Sequence, residues 1–318
     1  MDLENSVKTG MSTVLLVPAV AVITAGIFYL YGAILQLLSK ATVRNKVVLI
    51  TDSLSALGKE CAKLFHRGGA RLILCGKNWE KLESLSEQLM NGSDRTLTFP
   101  PKLMELDFSD VETMPDVVSD VLDAYGCLDV LIFNSSVKVK APVQSLSLEL
   151  DKTVMDANYF GPITLAKGVL PSMISRRAGH MVLVNSIQGK LAVPFRTSYA
   201  ASKHAIQAFF DCLRAEVQEY GISISTVSHT FIKATTSPHP TPKTNSIWSA
   251  FTRQKHHGIS PEEMASELLK TLSSKKSEVI MAHSVSKAAI YARSLLPNFF
   301  FSVMAAGVRS GTPTKYEH

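Results

Sequence analysis

The stretch KVVLITDSLSALGKECAKLFHR, residues 46–67, reads as an apolar strand, a polar turn and a helix. The strand candidate at 47–51 is apolar up to Thr51, which is typical of a strand buried on both faces of a parallel sheet. The turn that follows, from Thr51 to Gly58, leads directly into a helix predicted at 56–67. Backbone N–H groups at such a helix N-terminus bind phosphates. The stretch therefore predicts the first unit of an α/β domain with a dinucleotide-phosphate turn.

Short apolar runs alternate with helical patterns through the rest of the main domain, residues 46–283. The alternation predicts an α/β fold of Rossmann type, a doubly wound parallel sheet of about seven strands with helices on both faces. Such sheets bind ligands beyond the carboxyl ends of their strands. The predicted strands are 47–51, 71–75, 103–107, 130–133, 181–184, 222–227 and 278–281, and the predicted helices lie near 56–67, 79–90, 111–125, 150–175, 198–219 and 261–273.

The N-terminal segment, residues 1–45, is predicted to hold a transmembrane helix that anchors the chain. No charged residue lies between Lys8 and Lys40, and residues 14–38 are almost continuously apolar, which meets the roughly 20 residues that a spanning helix needs. The alternative is a cleaved signal peptide and the secretory pathway, but the apolar core of a signal peptide runs only about 7–15 residues. Basic residues follow the apolar run, so the positive-inside bias predicts a main domain that faces the cytosol.

The charge and the cysteine content of the chain limit the kinds of partner that it is expected to bind. The formal net charge of +6 is not gathered in a Lys/Arg patch with interleaved aromatics, so an anionic membrane surface or cofactor accounts for it better than nucleic acid. The four cysteines show no CxxC spacing and no metal-type grouping, so we expect free thiols and no metal site.

Two segments depart from the α/β pattern. Residues 234–258, rich in Pro, Thr and His, are predicted to form a flap over a substrate pocket. Residues 284–318 form an apolar C-terminal segment and tail. For this segment an interfacial membrane patch, a dimer contact, a pocket rim and a packed helix stay open.

Tyr199 and Lys203 are the residues with the clearest chemistry. They stand four residues apart on a predicted helix and share one face, and a cation beside a phenol lowers a pKa that is otherwise about 10. Such a phenol takes a proton from an alcohol or gives one to a carbonyl. Ser186, thirteen residues before Tyr199, is placed to hydrogen-bond the same substrate oxygen. The spacing alone also fits a buried aromatic beside a lysine, so the context decides.

Residues 46–283 resemble a short-chain dehydrogenase/reductase. The resemblance rests on Asp-Ala-Asn158, Val-Asn-Ser186-Ile-Gln-Gly and Tyr199-Ala-Ala-Ser-Lys203, which match the family's Asn, Ser and Tyr-x-x-x-Lys. Longer phrases, such as Met-Asp-Ala-Asn-Tyr-Phe-Gly-Pro-Ile-Thr, resemble the member seven group of this family and, within it, the C-type branch. That branch resides in the sarcoplasmic or endoplasmic reticulum membrane, and the resemblance implies the same location here.

The resemblance implies a role for each matching residue. Tyr199 is the acid/base, Lys203 lowers the Tyr199 pKa and binds the nicotinamide ribose, Ser186 polarises the substrate oxygen, and Asn158 holds a water that relays protons. Together they serve a hydride transfer between NAD or NADP and an alcohol or carbonyl. The residues that the resemblance assigns to cofactor binding are Thr51, Ser55, Leu57, Gly58, Lys77, Asp107, Asn134, Tyr199, Lys203 and Thr235.

The cofactor turn departs from the family pattern. Asp52 and Ala56 replace two of its three glycines, which removes positions that allow a positive φ and a close approach to the pyrophosphate. Gly76 stands where NAD-preferring members place an acid, and Lys77 after it either meets a 2′-phosphate of NADP or is a solvated surface residue. The C-type branch is associated with NAD, so the choice between NAD and NADP stays open.

Two functions follow. The first is a membrane-anchored NAD(P)-dependent oxidoreductase that interconverts a lipophilic alcohol, retinol-type or steroid-type, and its carbonyl. The second is an inactive scaffold that binds cofactor weakly or not at all, because the phosphate-binding glycines are replaced.

The resemblance also implies a homodimer. Enzymes of this family commonly dimerise through the helices that correspond to those carrying Asn158 and Tyr199, although burial within one chain accounts for the same apolar residues.

Overall fold

The structure, a computed structural model, describes residues 43–92, 94, 96–232 and 258–310, together with five positions between 24 and 31. The predicted flap at 234–258, including Thr235, lies outside the described residues except for Gly258. Most of the predicted anchor also lies outside them. Within the described residues, no helix combines the length and the apolar character needed to cross a bilayer. The anchor and the flap therefore stay predictions.

Seven parallel strands form one sheet in the order β3-β2-β1-β4-β5-β6-β7. The order runs outward from β1 in both directions and confirms the predicted doubly wound α/β fold. The strands are β1 Val47–Ile50, β2 Arg71–Gly76, β3 Lys102–Glu105, β4 Val130–Phe133, β5 Gly179–Ser186, β6 Ile222–His229 and β7 Glu278–Met281. The helices are α1 Ala56–Arg67, α2 Trp79–Asn91, α3 Met114–Tyr125, α4 Leu148–Met155, α5 Gly161–Arg176, α6 Thr197–Glu216, α7 Pro261–Ser274, α8 Ser284–Leu295 and α9 Pro297–Ser310.

The core consists of two apolar layers, one on each face of the sheet. Successive side chains of a strand point to opposite faces, so Leu49 packs into one layer while Val48 and Ile50 pack into the other. The first layer receives α3, α5 and α6, and the second receives α1, α2 and α7. Cys61 and Cys75 lie in these layers as free thiols, as predicted. With both faces covered, the carboxyl ends of the strands remain as the edge where a ligand binds.

The helix predicted over residues 150–175 is interrupted in the structure. A π-helical turn, Asp156–Phe160, separates α4 from α5. Pro162 in the first turn of α5 has no N–H to continue the α-helical ladder, and the N–H of Gly161 donates to the carbonyl of Asp156, five residues back. Single π turns are frequent at functional sites, and this one carries Asn158.

The C-terminal apolar segment folds into two helices that pack on the main domain. Phe300 and Met304 of α9 are buried with Ala289 of α8 and with Leu191, which lies in the loop after β5. A packed C-terminal helix, one of the four arrangements that the sequence left open, is therefore present. Several apolar side chains beside it remain exposed, namely Tyr291, Leu295, Leu296, Phe299 and Phe301.

Candidate active site

The predicted catalytic residues meet where β5 ends and α6 begins. Ser186 is the last residue of β5, and Tyr199 lies in the first turn of α6. The Tyr199 phenol forms hydrogen bonds with the Ser186 and Ser136 hydroxyls. The Ser186 Oγ also accepts the N–H of Gln188 at 3.1 Å, which fixes its orientation. The structure therefore brings together the serine and the tyrosine that the sequence singled out.

The electrostatics of Tyr199 and Lys203 differ from the prediction. Burial raises the pKa of Tyr199, and hydrogen bonds from two serines and the charge of Arg196 offset only part of that rise. Burial, followed by the charge of Lys138, lowers the pKa of Lys203 to about 7. The Lys203 Nζ lies 5.8 Å from the centre of the Tyr199 ring. The charged group that contributes to lowering the Tyr199 pKa here is Arg196 and not Lys203.

Asn158 ties the loop after β4 to the catalytic helix. Its side-chain oxygen accepts the N–H of Val137 at 2.7 Å, and its amide nitrogen donates to the Val137 carbonyl at 2.9 Å and to the Ser202 hydroxyl at 3.0 Å. On the other side of the site, the Asn185 amide donates to the carbonyl of Lys203 at 3.2 Å. These two amides hold the catalytic helix between β4 and β5. The water relay that the resemblance implies for Asn158 stays a prediction.

A cavity of about 490 Å³ opens beyond the carboxyl ends of β1, β2 and β3. Its size falls in the range of small-molecule sites, roughly 300–1,000 Å³. Three of the predicted cofactor residues, Thr51, Lys77 and Asp107, line it. Lys77 Nζ lies 2.7 Å from the Asp107 carboxylate. Burial opposes the ionisation of Asp107, but hydrogen bonds from Lys77 and Ser109 bring its pKa below the usual value.

The predicted phosphate turn is bridged by its own side chains. Asp52 Oδ1 accepts the N–H of Ser55 at 3.2 Å, and Ser55 Oγ accepts the N–H of Gly58 at 3.0 Å as the N-cap of α1. The Asn134 amide donates to the Asp52 carbonyl at 3.0 Å and to Ser55 Oγ at 2.9 Å. Two of the backbone N–H groups that would meet a phosphate are therefore engaged within the chain.

The loss of two glycines from this turn does not strain the backbone. Neither Asp52 nor Ala56 has a positive φ, so the conformational part of the expected cost is absent. Gly58 is still required, because a Cβ there would lie 1.9 Å from the Asp52 carbonyl oxygen. Leu57 is buried beside it. The feature that distinguishes the turn from the family pattern is therefore the Asp52 carboxyl. Burial raises the pKa of this carboxyl above its ordinary value.

Three buried polar atoms near the carboxyl ends of β5 and β6 have no hydrogen-bond partner among the described residues: Gln188 Oε1, Ser228 Oγ and His229 Nδ1. A buried polar group left unpaired costs about 1–3 kcal/mol, so this end of the site fits a bound group with donors and acceptors, such as a carboxamide. Burial lowers the pKa of His229 to about 3, followed by the charges of two nearby lysines, so the imidazole is neutral. Together with the cavity, these atoms fit a nicotinamide dinucleotide.

Four residues of the site escaped the sequence analysis: Ser136, Lys138, Arg196 and His229. Ser136 follows β4 and His229 is the last residue of β6. At these places the sequence has Phe133-Asn134-Ser135-Ser136 and His229-Thr230 where the family has Asn-Asn-Ala-Gly and Pro-Gly, and that difference was the available signal. Lys138 and Arg196 belong to no motif, and only the fold brings their loops to the catalytic pair.

Comparison with known proteins identifies the family of the chain. The model of the short chain dehydrogenase family matches residues 46–245. The Danio rerio protein "Dehydrogenase/reductase SDR family member 7C-B" is 63% identical over 308 residues, which cover 97% of each chain. The Homo sapiens protein "Dehydrogenase/reductase SDR family member 7C" is 55% identical over 305 residues, covering 94% of this chain and 97% of that one. Both relatives agree with the C-type branch that the sequence phrases indicated.

The fold also recurs among solved structures. The crystal structure of a metagenomic short-chain oxidoreductase in complex with NADP superposes with a TM-score of 0.61 at 20% identity, over 76% of this chain and 99% of that one. At this identity the likeness concerns the fold alone. The family model and the two relatives carry the assignment, and by them the chain belongs to the short-chain dehydrogenase/reductase family.

Proposed function

We propose that this chain is a membrane-anchored, NAD(P)-dependent oxidoreductase that interconverts a lipophilic alcohol, retinol-type or steroid-type, and its carbonyl. The observation that carries the proposal is the buried Tyr199 phenol, which is hydrogen-bonded by Ser186 and Ser136 and has Lys203 one helical turn further on. When bound, the nicotinamide supplies the hydride-transfer chemistry. The chain supplies the proton and the orientation of the substrate oxygen.

The contacts of Tyr199 define the proton path. In the reducing direction the phenol gives its proton to the carbonyl oxygen, and in the oxidising direction the phenolate takes a proton from the alcohol. Ser186 donates a hydrogen bond to the same substrate oxygen. Lys203, with a pKa of about 7, gains and loses a proton near neutral pH, where a proton donor to the tyrosine is most effective.

The cavity beside the catalytic residues supports dinucleotide binding. Gly76 and Lys77, which line it at the end of β2, bear on the choice between NAD and NADP. At Gly76 a Cβ would meet the Leu54 side chain at 2.9 Å, so an acidic side chain for a ribose 2′-OH fits there only if Leu54 moves. Lys77 suits a 2′-phosphate, but it is already paired with Asp107 at 2.7 Å. The resemblance to the C-type branch implies NAD, while these residues favour NADP.

We propose that the chain lies in the endoplasmic or sarcoplasmic reticulum membrane with its main domain in the cytosol. Two features support a membrane location. One is the apolar run at 14–38, read from the sequence. The other is formed by α8 and α9, where Leu295, Phe299 and Phe301 are more than half exposed. No Asp or Glu lies between Glu278 and Glu317, so this surface is cationic and suits an anionic lipid interface.

The bridged phosphate turn favours a second candidate, a scaffold that retains the fold without turnover. Asp52 places a carboxylate where a pyrophosphate would bind and engages the Ser55 N–H. In that case the chain would bind dinucleotide weakly or not at all. The retained contacts between Tyr199 and its two serines favour the enzyme.

Titration and turnover with one preparation separate the two candidates. The full-length protein in detergent is titrated with NADH and NADPH, and turnover is measured with all-trans-retinol and with a hydroxysteroid. The enzyme predicts binding of at least one dinucleotide, turnover by the wild type, and loss of turnover with retained binding in Tyr199→Phe. Full turnover by Tyr199→Phe refutes the assigned proton transfer. Absence of binding at millimolar dinucleotide refutes the enzyme and supports the scaffold.

A further inference from the structure

Two basic side chains outside the predicted catalytic set stand at the mouth of the active site. Arg196 immediately precedes α6, and its guanidinium carbon lies 6.0 Å from the centre of the Tyr199 ring. Lys138 follows β4, two residues after Ser136, which hydrogen-bonds the Tyr199 phenol. Burial and then the charge of Arg196 lower the pKa of Lys138, and burial and then the charge of Lys138 lower the pKa of Lys203. Arg196 and Lys203 therefore both lie within about 6 Å of the Tyr199 ring centre, and Lys138 is close enough to interact electrostatically with each of them.

Backbone contacts hold the two basic loops in place. The N–H of Ala141 donates to the carbonyl of Phe195 at 2.9 Å, which ties the loop after β4 to the loop before α6. Asn158 fixes Val137 with two hydrogen bonds. Phe195 has a φ of 66°, a left-handed conformation that costs a non-glycine residue about 1–3 kcal/mol. Such strain persists only where the surroundings enforce it, so the position of Arg196 is built into the fold.

Neither cation has a carboxylate partner among the described residues. Elsewhere the structure joins basic side chains to acids, as it joins Arg176 to Asp129 at 3.1 Å. The segment 233–257, which lies outside the described residues, contains four Lys/Arg and no Asp or Glu. Lys138 as a whole residue is exposed, although neighbouring groups crowd its amine enough to lower its pKa, and Arg196 is half-buried, so both can be reached from outside. Like charges held close together repel, and the described residues supply no carboxylate to offset that repulsion, so this pair is suited to binding an anion.

We propose that Lys138 and Arg196 bind an anionic group of the substrate, a carboxylate or a phosphate, next to the alcohol or carbonyl that reacts. This inference rests on the proposed function and narrows its substrate class from a lipophilic alcohol to an acidic amphiphile. The cavity that fits the dinucleotide is lined by three other lysines, Lys59, Lys77 and Lys81, and by neither Lys138 nor Arg196, so we assign this pair to the substrate and not to the dinucleotide.

The chemistry of the pair suits such a group. Arg presents a planar fork that binds a carboxylate or phosphate through two parallel hydrogen bonds, and Lys adds a point charge. Burial is the main cause of the lowered Lys203 pKa and the charge of Lys138 the second, and a bound anion offsets only the second of these. An uncharged alcohol leaves the cations uncompensated and binds less tightly.

Equilibrium dialysis of the full-length protein in detergent, with and without NADH, tests the inference. Octanoate and octyl phosphate are compared with uncharged octanol. We expect the better anion to bind at least about tenfold more tightly than octanol, the size of one good charged contact. Lys138→Met and Arg196→Met each lose most of that preference. The control Lys167→Met, which removes an exposed lysine of α5, keeps it. Octanoate binding above octyl phosphate identifies a carboxylate, and the reverse identifies a phosphate.

Equal affinity for octanol and both anions overturns the inference. Anion binding that survives in the double variant Lys138→Met/Arg196→Met also overturns it, provided that the circular dichroism spectrum of the variant matches the wild type. The proposed function fails by a different result. Anion binding through this pair without turnover of any alcohol refutes the oxidoreductase and keeps the anion site. Turnover of uncharged alcohols with no anion preference refutes only the anion site.

Discussion

Replacement of Asp52 by asparagine removes the negative charge of the phosphate turn and keeps the size of the side chain. At a separation of about 5 Å and an effective dielectric constant near 20, one carboxylate and one phosphate charge repel by about 3 kcal/mol. Asp52 is partly exposed and accepts the N–H of Ser55, and both facts spread its charge. We therefore expect Asp52→Asn to tighten dinucleotide binding by about 1–2 kcal/mol, or about 5- to 30-fold in Kd.

Fluorescence titration of NADH and NADPH against the purified protein measures this change. Asp120→Asn, which neutralises an exposed carboxylate of α3, is the matched control and should leave Kd unchanged. Asp52→Gly adds the small residue that the family pattern has at this position and should bind at least as tightly as Asp52→Asn. Because the backbone at Asp52 has no positive φ, most of the gain should come from the charge and not from glycine.

The pH dependence of dinucleotide binding offers an independent check on Asp52. Burial raises the pKa of this carboxyl, and a bound anion raises it further, so dinucleotide binding takes up a proton. Affinity should therefore rise as pH falls, and Asp52→Asn should flatten that rise. Unchanged or weaker binding by Asp52→Asn, together with an unchanged pH profile, refutes the view that this carboxylate competes with the pyrophosphate.

Three further predictions concern stability. Burial lowers the pKa of Lys203 from 10.5 to about 7, so between pH 7 and 10.5 the unfolded chain binds one more proton than the folded protein. The thermal midpoint of the dinucleotide-free protein should therefore rise with pH in this range, and Lys203→Met should lose that rise. Because the pKa of His229 falls from 6.5 to about 3, stability should decrease as pH falls from 6.5, and His229→Gln should lessen that loss in urea unfolding at pH 7 and 4.5. Gly58→Ala should lower the free energy of unfolding, measured in urea, by about 1–3 kcal/mol, since its Cβ would lie 1.9 Å from a backbone oxygen. The control Gly92→Ala should be tolerated, because the nearest atom to its Cβ would lie at 3.4 Å.

The regular elements were predictable because β1, β2 and β4 are nearly continuous runs of apolar residues. The bounds of β4 and β7 agree with the prediction to the residue. β5 was predicted too short, at 181–184, because polar residues stand at its ends. Those polar groups are satisfied across the fold, as His180 Nε2 is by Ser225 Oγ at 2.8 Å and Asn185 is by Gln207 at 3.1 Å. Hydrophobicity alone does not reveal such long-range partners.

The candidate site was predictable where its residues sit in one motif and not where loops meet. Ser186 and Tyr199 lie on adjoining elements, so their spacing already placed them together. Lys138 and Arg196 come from loops that approach through the Ala141 backbone contact, which no local pattern encodes. The predicted effect of Lys203 on the Tyr199 pKa failed for a related reason, since spacing gives proximity but not the burial that decides which form is charged.

The charge distribution of the site runs opposite to that of an oxidised dinucleotide. The Asp52 carboxyl lies in the predicted phosphate turn, while the Arg196 guanidinium and the Lys203 amine lie near the Tyr199 ring. In the proposed reaction the nicotinamide would exchange a hydride with the substrate carbon while Tyr199 exchanges a proton with the substrate oxygen, which would bring the ring near these cations, and that ring is positively charged only in the oxidised cofactor. Like charges disfavour that form, so we expect the chain to bind the reduced cofactor more tightly than the oxidised one, which would favour reduction of a carbonyl. An anionic substrate would cancel this bias, and for that reason the partner of Lys138 and Arg196 also bears on the direction of the reaction.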